Sequence, residues 1–165
     1  MIAQAAVSLI LCDDKILILK RSINDIDPWS GHLSLPGGKI DPEDSSPLAA
    51  AIRETREECD FALDQHSDYE ELPMLSAGGT VGHPMWVQPY FFELEHEPQI
   101  TLDLREHYEY YWVSLDYLRK PQFHLKKQKS KNYPDLDFTC IDIEGTDLWG
   151  FTYQLIMSHF QISID

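Results

Sequence analysis

The sequence predicts an α/β sandwich, with strands packed between helices. Three observations predict it. The chain opens with two short apolar runs around the polar tetrapeptide CDDK. A helical pattern over 46 to 60 follows a paired-glycine turn. Apolar residues near helical spacing return at the C-terminal end. At 165 residues, 43% hydrophobic and 25% charged, the chain reads as one domain spanning 1–165 with a core of ordinary size.

Residues 3 to 11 and 15 to 20 are expected to pair as strands. The opening lacks a basic start, and its apolar run breaks at Asp13 and Asp14, so it reads as this hairpin and not as a signal peptide. Residues 22 to 31 form a polar loop ending in DPWSG, and 32 to 35 lead into the glycines. In the helix over 46 to 60, Asp44, Ser45 or Ser46 can cap the start and Pro47 suits the first turn. Leu48, Ile52, Thr55 and Cys59 form a narrow apolar stripe for packing on a sheet. Strand signals return at 71 to 76 and at 79 to 95, the latter with a turn near Gly82 and Pro84. A strand at 109 to 115 leads to a short turn or helix at DYLRK, and another strand spans 137 to 143. The segment LWGFTYQLIMSHF, with Leu148, Phe151, Leu155 and Phe160, is expected to close the chain as a helix across the sheet.

The chemistry concentrates in GGKIDPEDSSPLAAAIRETREECDF, residues 37 to 61. On a helix, Glu54, Glu57 and Glu58 stand at i, i+3 and i+4 and share one side. Three like charges there repel unless a cation sits among them. Oxygen-only donors suit a hard divalent ion such as Mg²⁺ or Mn²⁺. The plainer reading is a solvated acidic face, with Arg53 and Glu57 as an i, i+4 ion pair worth about 0.3–0.5 kcal/mol. The turn LPGGK favours the first reading. Paired glycines bring backbone close to a ligand or metal, which an ordinary amphipathic helix does not need.

The rest of the chain sets bounds. A formal net charge of −15 argues against a nucleic-acid partner but leaves room for a small phosphorylated substrate bound through metal. No apolar run reaches membrane-spanning length. Cys12, Cys59 and Cys140 are odd in number and form no CxxC pair, so they read as reduced, buried thiols of a cytoplasmic protein. The basic island HLKKQKSK carries Lys126, Lys127, Lys129 and Lys131. It reads as a solvated loop, with a phosphate-gripping loop over the active site as the functional alternative. The seven histidines, His32, His66, His83, His96, His107, His124 and His159, share no metal-ligand spacing and receive no role. The sequence leaves a homodimer open.

The segment 37 to 61 resembles the Nudix box, whose pattern is G, five residues, E, seven residues, then REUxEExGU, with U a bulky aliphatic residue. Gly38 matches the first glycine, and Arg53, Glu54, Glu57 and Glu58 match the REUxEE core. Asp44 stands where the first glutamate is expected, eight residues rather than seven before Arg53. Thr55 fills the first U position, and Asp60 replaces the last glycine. The element order resembles the Nudix fold, an α/β/α sandwich with a mixed β-sheet. The resemblance implies hydrolysis of a pyrophosphate bond in a nucleoside diphosphate linked to another moiety. It implies metal binding by Glu54, Glu57, Glu58 and the carbonyl of Gly38. Glu54 is a candidate base, and Arg53 orients the carboxylates, through Asp44.

Members of the family recruit a further acid outside the box. Glu106 and Glu109 in LREHYEYYWVSL are the candidates, with Glu106 preferred. Glu93, Glu95 and Glu97 alternate along a strand face and read as solvated. The segment before the box resembles the coenzyme A pyrophosphatase branch, where Arg-x3-Gly-x3-Phe-Pro-Gly-Gly is expected. Gly31 and LPGG match, while Asp27 replaces the arginine and Leu35 the phenylalanine, with Arg21 as a nearby substitute cation. Coenzyme A or a derivative is the leading substrate. Nucleotide sugars, dinucleotides and modified nucleoside triphosphates remain open. Trp29, Trp86, Tyr90, Trp112 and Trp149 are candidate platforms for a base, against the commoner use of aromatics as core. The rival readings are a Nudix-fold nucleotide sensor without catalysis and a plain α/β interaction domain. The Glu57–Glu58 pair argues against the first, and the glycine turn beside the carboxylates argues against the second.

Overall fold

The structure is a computed structural model that describes residues 2–64, 68–78, 84–127 and 137–164. Its organising feature is a split between the first two strands, β1 (Ala5–Cys12) and β2 (Lys15–Arg21). They pair antiparallel only beside their turn, Leu11 with Ile16 and Cys12 with Lys15. Asp13 and Asp14 make that turn at φ 48° and 57°, the left-handed pair that a two-residue hairpin requires. Beyond it the strands diverge and a returning segment fills the gap. There, β3 (Leu33–Ser34) pairs with β2, and β4 (Gly37–Lys39) pairs with β1. The paired glycines therefore sit inside the sheet, laddered against β1.

Helix α1 (Pro47–Cys59) follows. Ser46 is its cap, accepting from Ala49 N–H at 3.1 Å, and Pro47 occupies the first turn. Asp60 ends it at φ 54°, donating its N–H to Arg56 C=O. The chain then forms β5 (Tyr69–Glu71), β6 (Leu75–Ala77), β7 (Met85–Leu94), β8 (His107–Ser114), α2 (Leu115–Leu118), β9 (His124–Lys127), β10 (Phe138–Ile143), β11 (Thr146–Leu148) and α3 (Gly150–His159). The main sheet has eight strands among the described residues and is mixed. β1 runs parallel to β7 along its whole length, while β8 lies antiparallel to β2. A second, three-stranded sheet is ordered β11-β10-β9.

Alternation along β1 and β2 builds a core on each face. Ala6, Ile10, Leu17 and Leu19 pack towards Ala50, Ala51 and Cys59 of α1. Leu9, Leu11, Ile16 and Ile18 pack with Ile141 and Leu148 of the second sheet and Leu155 and Ile156 of α3. This is the expected α/β/α sandwich with a mixed β-sheet. All three cysteines are free and buried. Among the described residues, no helix is long and apolar enough to cross a membrane.

Several boundaries differ from expectation. The buried face of α1 centres on Ala50, Ala51, Thr55 and Cys59, with Leu48 and Ile52 only half-buried. Alanines let the helix approach the sheet closely, so the larger side chains fall to the flanks. The strand expected at 71 to 76 is two strands broken around Pro73, which has no N–H for a ladder. The strand expected from 79 begins at Met85; Gly82 lies outside the described residues. Leu148 belongs to β11 and not to the last helix, because Glu144 and Gly145, at φ 49° and 82°, turn β10 back on itself. The basic island is in part a strand. Lys126 and Lys127 lie in β9, and Lys127 pairs with Asp147 at 2.6 Å, so it is not free to grip a phosphate. Lys129 and Lys131 lie outside the described residues.

Candidate metal centre and active site

The glycine turn and α1 meet at close range. Gly37 has φ 149°, and a Cβ there would come within 2.6 Å of Val7 Cα and collide with the Ala6 carbonyl. A Cβ on Gly38 would lie 2.6 Å from the carboxyl carbon of Glu54. Each glycine therefore serves a different neighbour, Gly37 the sheet and Gly38 the acidic face of α1.

The three box carboxylates do not share one environment. Glu57 is mostly exposed, Glu54 is largely covered and Glu58 is buried. Glu58 turns into the sheet, where Gly37 N–H donates to its Oε2 at 2.9 Å. Burial, followed by the charges of Glu54 and Glu106, holds its carboxyl well above the usual range, against the pull of that amide. Among the described residues, no Lys or Arg pairs with Glu58. Burial also raises Glu54, despite Arg53 beside it.

Arg53 ties the outer carboxylates together. Its Nε and Nη2 donate to the two oxygens of Asp44, each at 2.9 Å. Its Nη1 donates to Glu54 at 2.9 Å and Glu57 at 3.1 Å, and Nη2 also reaches the Lys39 carbonyl at 3.2 Å. The hydrogen bonds from Arg53 lower the Asp44 carboxyl. The extra residue before Arg53 and the shorter acid at 44 are thus reconciled in one bidentate pair.

The fourth acid arrives from a turn before β8. Thr101 N–H donates to Cys59 C=O and Asp103 N–H to Glu58 C=O, which pins this segment to the end of α1. Glu106 and His107 both donate their N–H to Asp103 C=O, and Ser22 N–H donates to Glu106 C=O at 2.8 Å. Glu106, Glu58 and His107 consequently offer ligand atoms all within 4.8 Å of one another. Glu109 is not part of this group, since its carboxylate accepts from Tyr111 Oη at 2.6 Å.

His107 received no role from its spacing, yet it stands in the cluster. It is fully buried, with Nδ1 3.8 Å from Glu58 Oε1 and Nε2 3.4 Å from Ser34 Oγ. Burial, then Arg21, lowers its imidazole to about 4. A usable signal was adjacency to Glu106. Neighbours along a strand face opposite ways, but Glu106 lies in the preceding turn, so the two side chains converge.

The upstream candidates are placed differently. Arg21 is already paired with Asp27, Nε to Oδ2 at 2.8 Å and Nη2 to the same oxygen at 2.7 Å. Tyr90 is core. Trp149 packs edge-on to His32, with ring centroids 5.5 Å apart. Trp29 also packs edge-on to this imidazole, with ring centroids 5.8 Å apart.

The NUDIX domain family model matches residues 3–136. The chain belongs to this family. Among curated proteins, it is 30% identical over 117 residues to the peroxisomal coenzyme A diphosphatase NUDT7 of Mus musculus, covering 71% of this chain and 48% of that one. It is 31% identical over 112 residues to an uncharacterized protein of Schizosaccharomyces pombe, covering 65% and 34%. The chain thus spans about half, or less, of the length of these relatives. In fold it resembles a MutT/nudix family protein from Enterococcus faecalis, with a TM-score of 0.66, 20% identity, and coverage of 98% and 62%.

Two departures from the Nudix pattern find local reasons. Thr55, in place of an aliphatic residue, is buried and donates to Ala51 C=O at 2.8 Å. Its Oγ1 also lies 2.9 Å from Ser8 Oγ on β1, so a polar pair replaces an apolar contact. Asp60, in place of glycine, takes the left-handed conformation that ends α1.

Proposed function

We propose that this chain hydrolyses a pyrophosphate bond in a nucleoside diphosphate linked to another moiety, with coenzyme A or a derivative as the leading substrate. The observation that carries this reading is the approach of Glu58 and Glu106 to within 4.8 Å of each other, with Gly37 N–H on Glu58, Glu54 against Gly38 and no basic side chain paired to Glu58 among the described residues. Such a cluster of oxygen donors fits Mg²⁺ or Mn²⁺. A bound divalent ion would offset the charge of the diphosphate and acidify an attacking water. Glu57, Glu58, Glu54, Glu106 and the Gly38 carbonyl are the residues assigned to hold it.

The chain's own groups supply the rest. Arg53 fixes the rotamers of Glu54 and Glu57 through Asp44, so that neither carboxylate must be ordered when substrate arrives. Glu54 is the candidate general base, because a carboxyl raised by burial takes a proton from water more readily at neutral pH. Gly38 lets the backbone stand against that carboxylate. The mouse relative is a coenzyme A diphosphatase, which supports coenzyme A as substrate. The pairing of Arg21 with Asp27 means that phosphate recognition upstream of the box differs from the Arg-containing pattern. Three buried free thiols suit a reducing compartment such as the cytoplasm.

The test is a product-release panel with Mg²⁺ and Mn²⁺, containing coenzyme A, ADP-ribose, NADH, diadenosine polyphosphates, nucleotide sugars and nucleoside triphosphates. Metal-dependent cleavage of coenzyme A, abolished in Glu57→Gln, is the expected result. Tight binding of a panel member without turnover would instead support a nucleotide sensor.

A further inference from the structure

We propose that His107 Nδ1 is a nitrogen ligand to the divalent cation held by Glu58 and Glu106, and that it tips this centre towards Mn²⁺ over Mg²⁺. The proposal rests on the reading of these carboxylates as a cation site and adds a nitrogen donor to it.

Three observations carry it. First, Nδ1 is a fully buried polar atom without a hydrogen-bond partner. Leaving such an atom unsatisfied is costly, and it calls for a ligand or ion that completes it. Second, Nδ1 faces the acidic cluster. It lies 3.8 Å from Glu58 Oε1, too far for a hydrogen bond, and Oε1 is the oxygen of Glu58 that Gly37 N–H leaves free. Glu58, Glu106 and His107 each offer a ligand atom within 4.8 Å of the others, a grouping of two carboxylates and an imidazole. Third, the far side of the ring has a partner. Nε2 stands 3.4 Å from Ser34 Oγ, so the tautomer protonated at Nε2 can donate to Ser34 while Nδ1 keeps its lone pair for the cluster. Metal-bound histidines commonly use their second nitrogen in this way.

The fold supplies the geometry. Ser34 lies in β3 and His107 at the start of β8, the strands that flank β2 on its two edges, and Glu58 lies at the end of α1. The turn at 104–106 brings Glu106 to the same side as His107. An all-oxygen set favours the hardest ions. An imidazole nitrogen favours first-row transition ions over Mg²⁺, which selects oxygen and dehydrates reluctantly.

The test is pulsed electron paramagnetic resonance of Mn²⁺ bound to the intact chain. Expected is a ¹⁴N modulation that changes to a ¹⁵N pattern when histidine is labelled and disappears in His107→Gln. By calorimetry, Mn²⁺ affinity falls by about tenfold in that variant while Mg²⁺ affinity changes little. Should His107→Gln lose its native circular dichroism, His107→Asn takes its place. Mn²⁺ bound to wild-type protein with no nitrogen coupling would overturn the proposal without any variant, leaving His107 as a packing residue and the carboxylate centre intact. A coupling that persists in the folded variant would overturn it too, by assigning the nitrogen to another group. Mg²⁺ binding without Mn²⁺ binding would overturn the proposal alone, and binding of neither ion would overturn the cation site itself and with it the proposed hydrolysis.

Discussion

Arg53 and Asp44 are joined by two parallel hydrogen bonds, each 2.9 Å, across the loop that enters α1. Asp44 is the better buried of the two and also accepts from Asp41 N–H at 2.8 Å. Asp44→Ala therefore leaves Arg53 without its main anchor and opens the loop. The expected loss is about 2 kcal/mol in a urea titration, with a larger proportional fall in kcat than in substrate affinity. Asp44→Glu does not improve on wild type, because the additional loop residue already brings the shorter acid into register. A more stable and more active Asp44→Glu would contradict this compensation.

Gly37→Ala and Gly38→Ala separate fold from site. The first places a methyl against Val7 and the Ala6 carbonyl at a φ of 149°, so it attacks the sheet and costs about 3 kcal/mol. The second meets only the end of the Glu54 side chain, which can rotate away. Thermal melts of Gly38→Ala stay near wild type, while turnover falls on the order of 100-fold as Glu54 is displaced. Similar melting losses in both variants would show that the two glycines share one role.

Glu58 and His107 pull the stability of the metal-free chain in opposite directions with pH. The carboxyl of Glu58 is raised by burial above its ordinary 4.5, so its contribution is full below that value and is lost as pH rises towards the native value. The imidazole of His107 is lowered from 6.5 to about 4, so its contribution is full above 6.5 and is lost as pH falls towards 4. That second loss is on the order of 3 kcal/mol when complete. In a chelator, Glu58→Gln should melt above wild type at pH 7, with the advantage gone below pH 4.5. Saturating Mn²⁺ reverses the order at pH 7. Identical melting curves in chelator at every pH would refute the cost assigned to Glu58.

Thr55 and Ser8 form a buried polar pair under α1, and both reach Ala51 C=O, at 2.8 Å and 3.3 Å. Ser8→Ala and Thr55→Val each cost about 1 kcal/mol, because each removes the buried hydrogen bond between the two hydroxyls. The double substitution costs less than the sum, since it removes both polar groups together. A strictly additive cycle would mean that the two hydroxyls act separately.

The sequence made the box legible because its signal is local. Helix α1, its proline start, its Asp60 end and the Arg53–Asp44 pairing all depend on residues within one short segment. The hairpin at Asp13–Asp14 was legible for the same reason. Glu106 was a candidate through its place ahead of an aromatic strand, and the long-range contacts of Thr101, Asp103 and Ser22 are what bring it near Glu58. His107 was not found, because its relation to Glu58 and Ser34 is made by three separate elements and leaves no spacing in the chain. The half-buried state of Leu48 and Ile52 was hidden as well. Hydrophobic periodicity favours large residues, whereas the helix docks through Ala50 and Ala51.

The parallel ladder that pairs Ala5 with Val87 has a consequence for how the chain acquires its structure. The glycine turn and all three box carboxylates lie in the loop that this ladder closes, so closure must bring together residues far apart along the chain before the region is enclosed. Helix α1 can flicker into shape alone, but Glu58 has no reason to leave water until β1, β4 and β8 are assembled around it. The amides around Gly37 and Glu106 should thus be among the last to gain protection from hydrogen exchange during refolding. A divalent ion added at the start would act on that final step and leave the early ones unchanged.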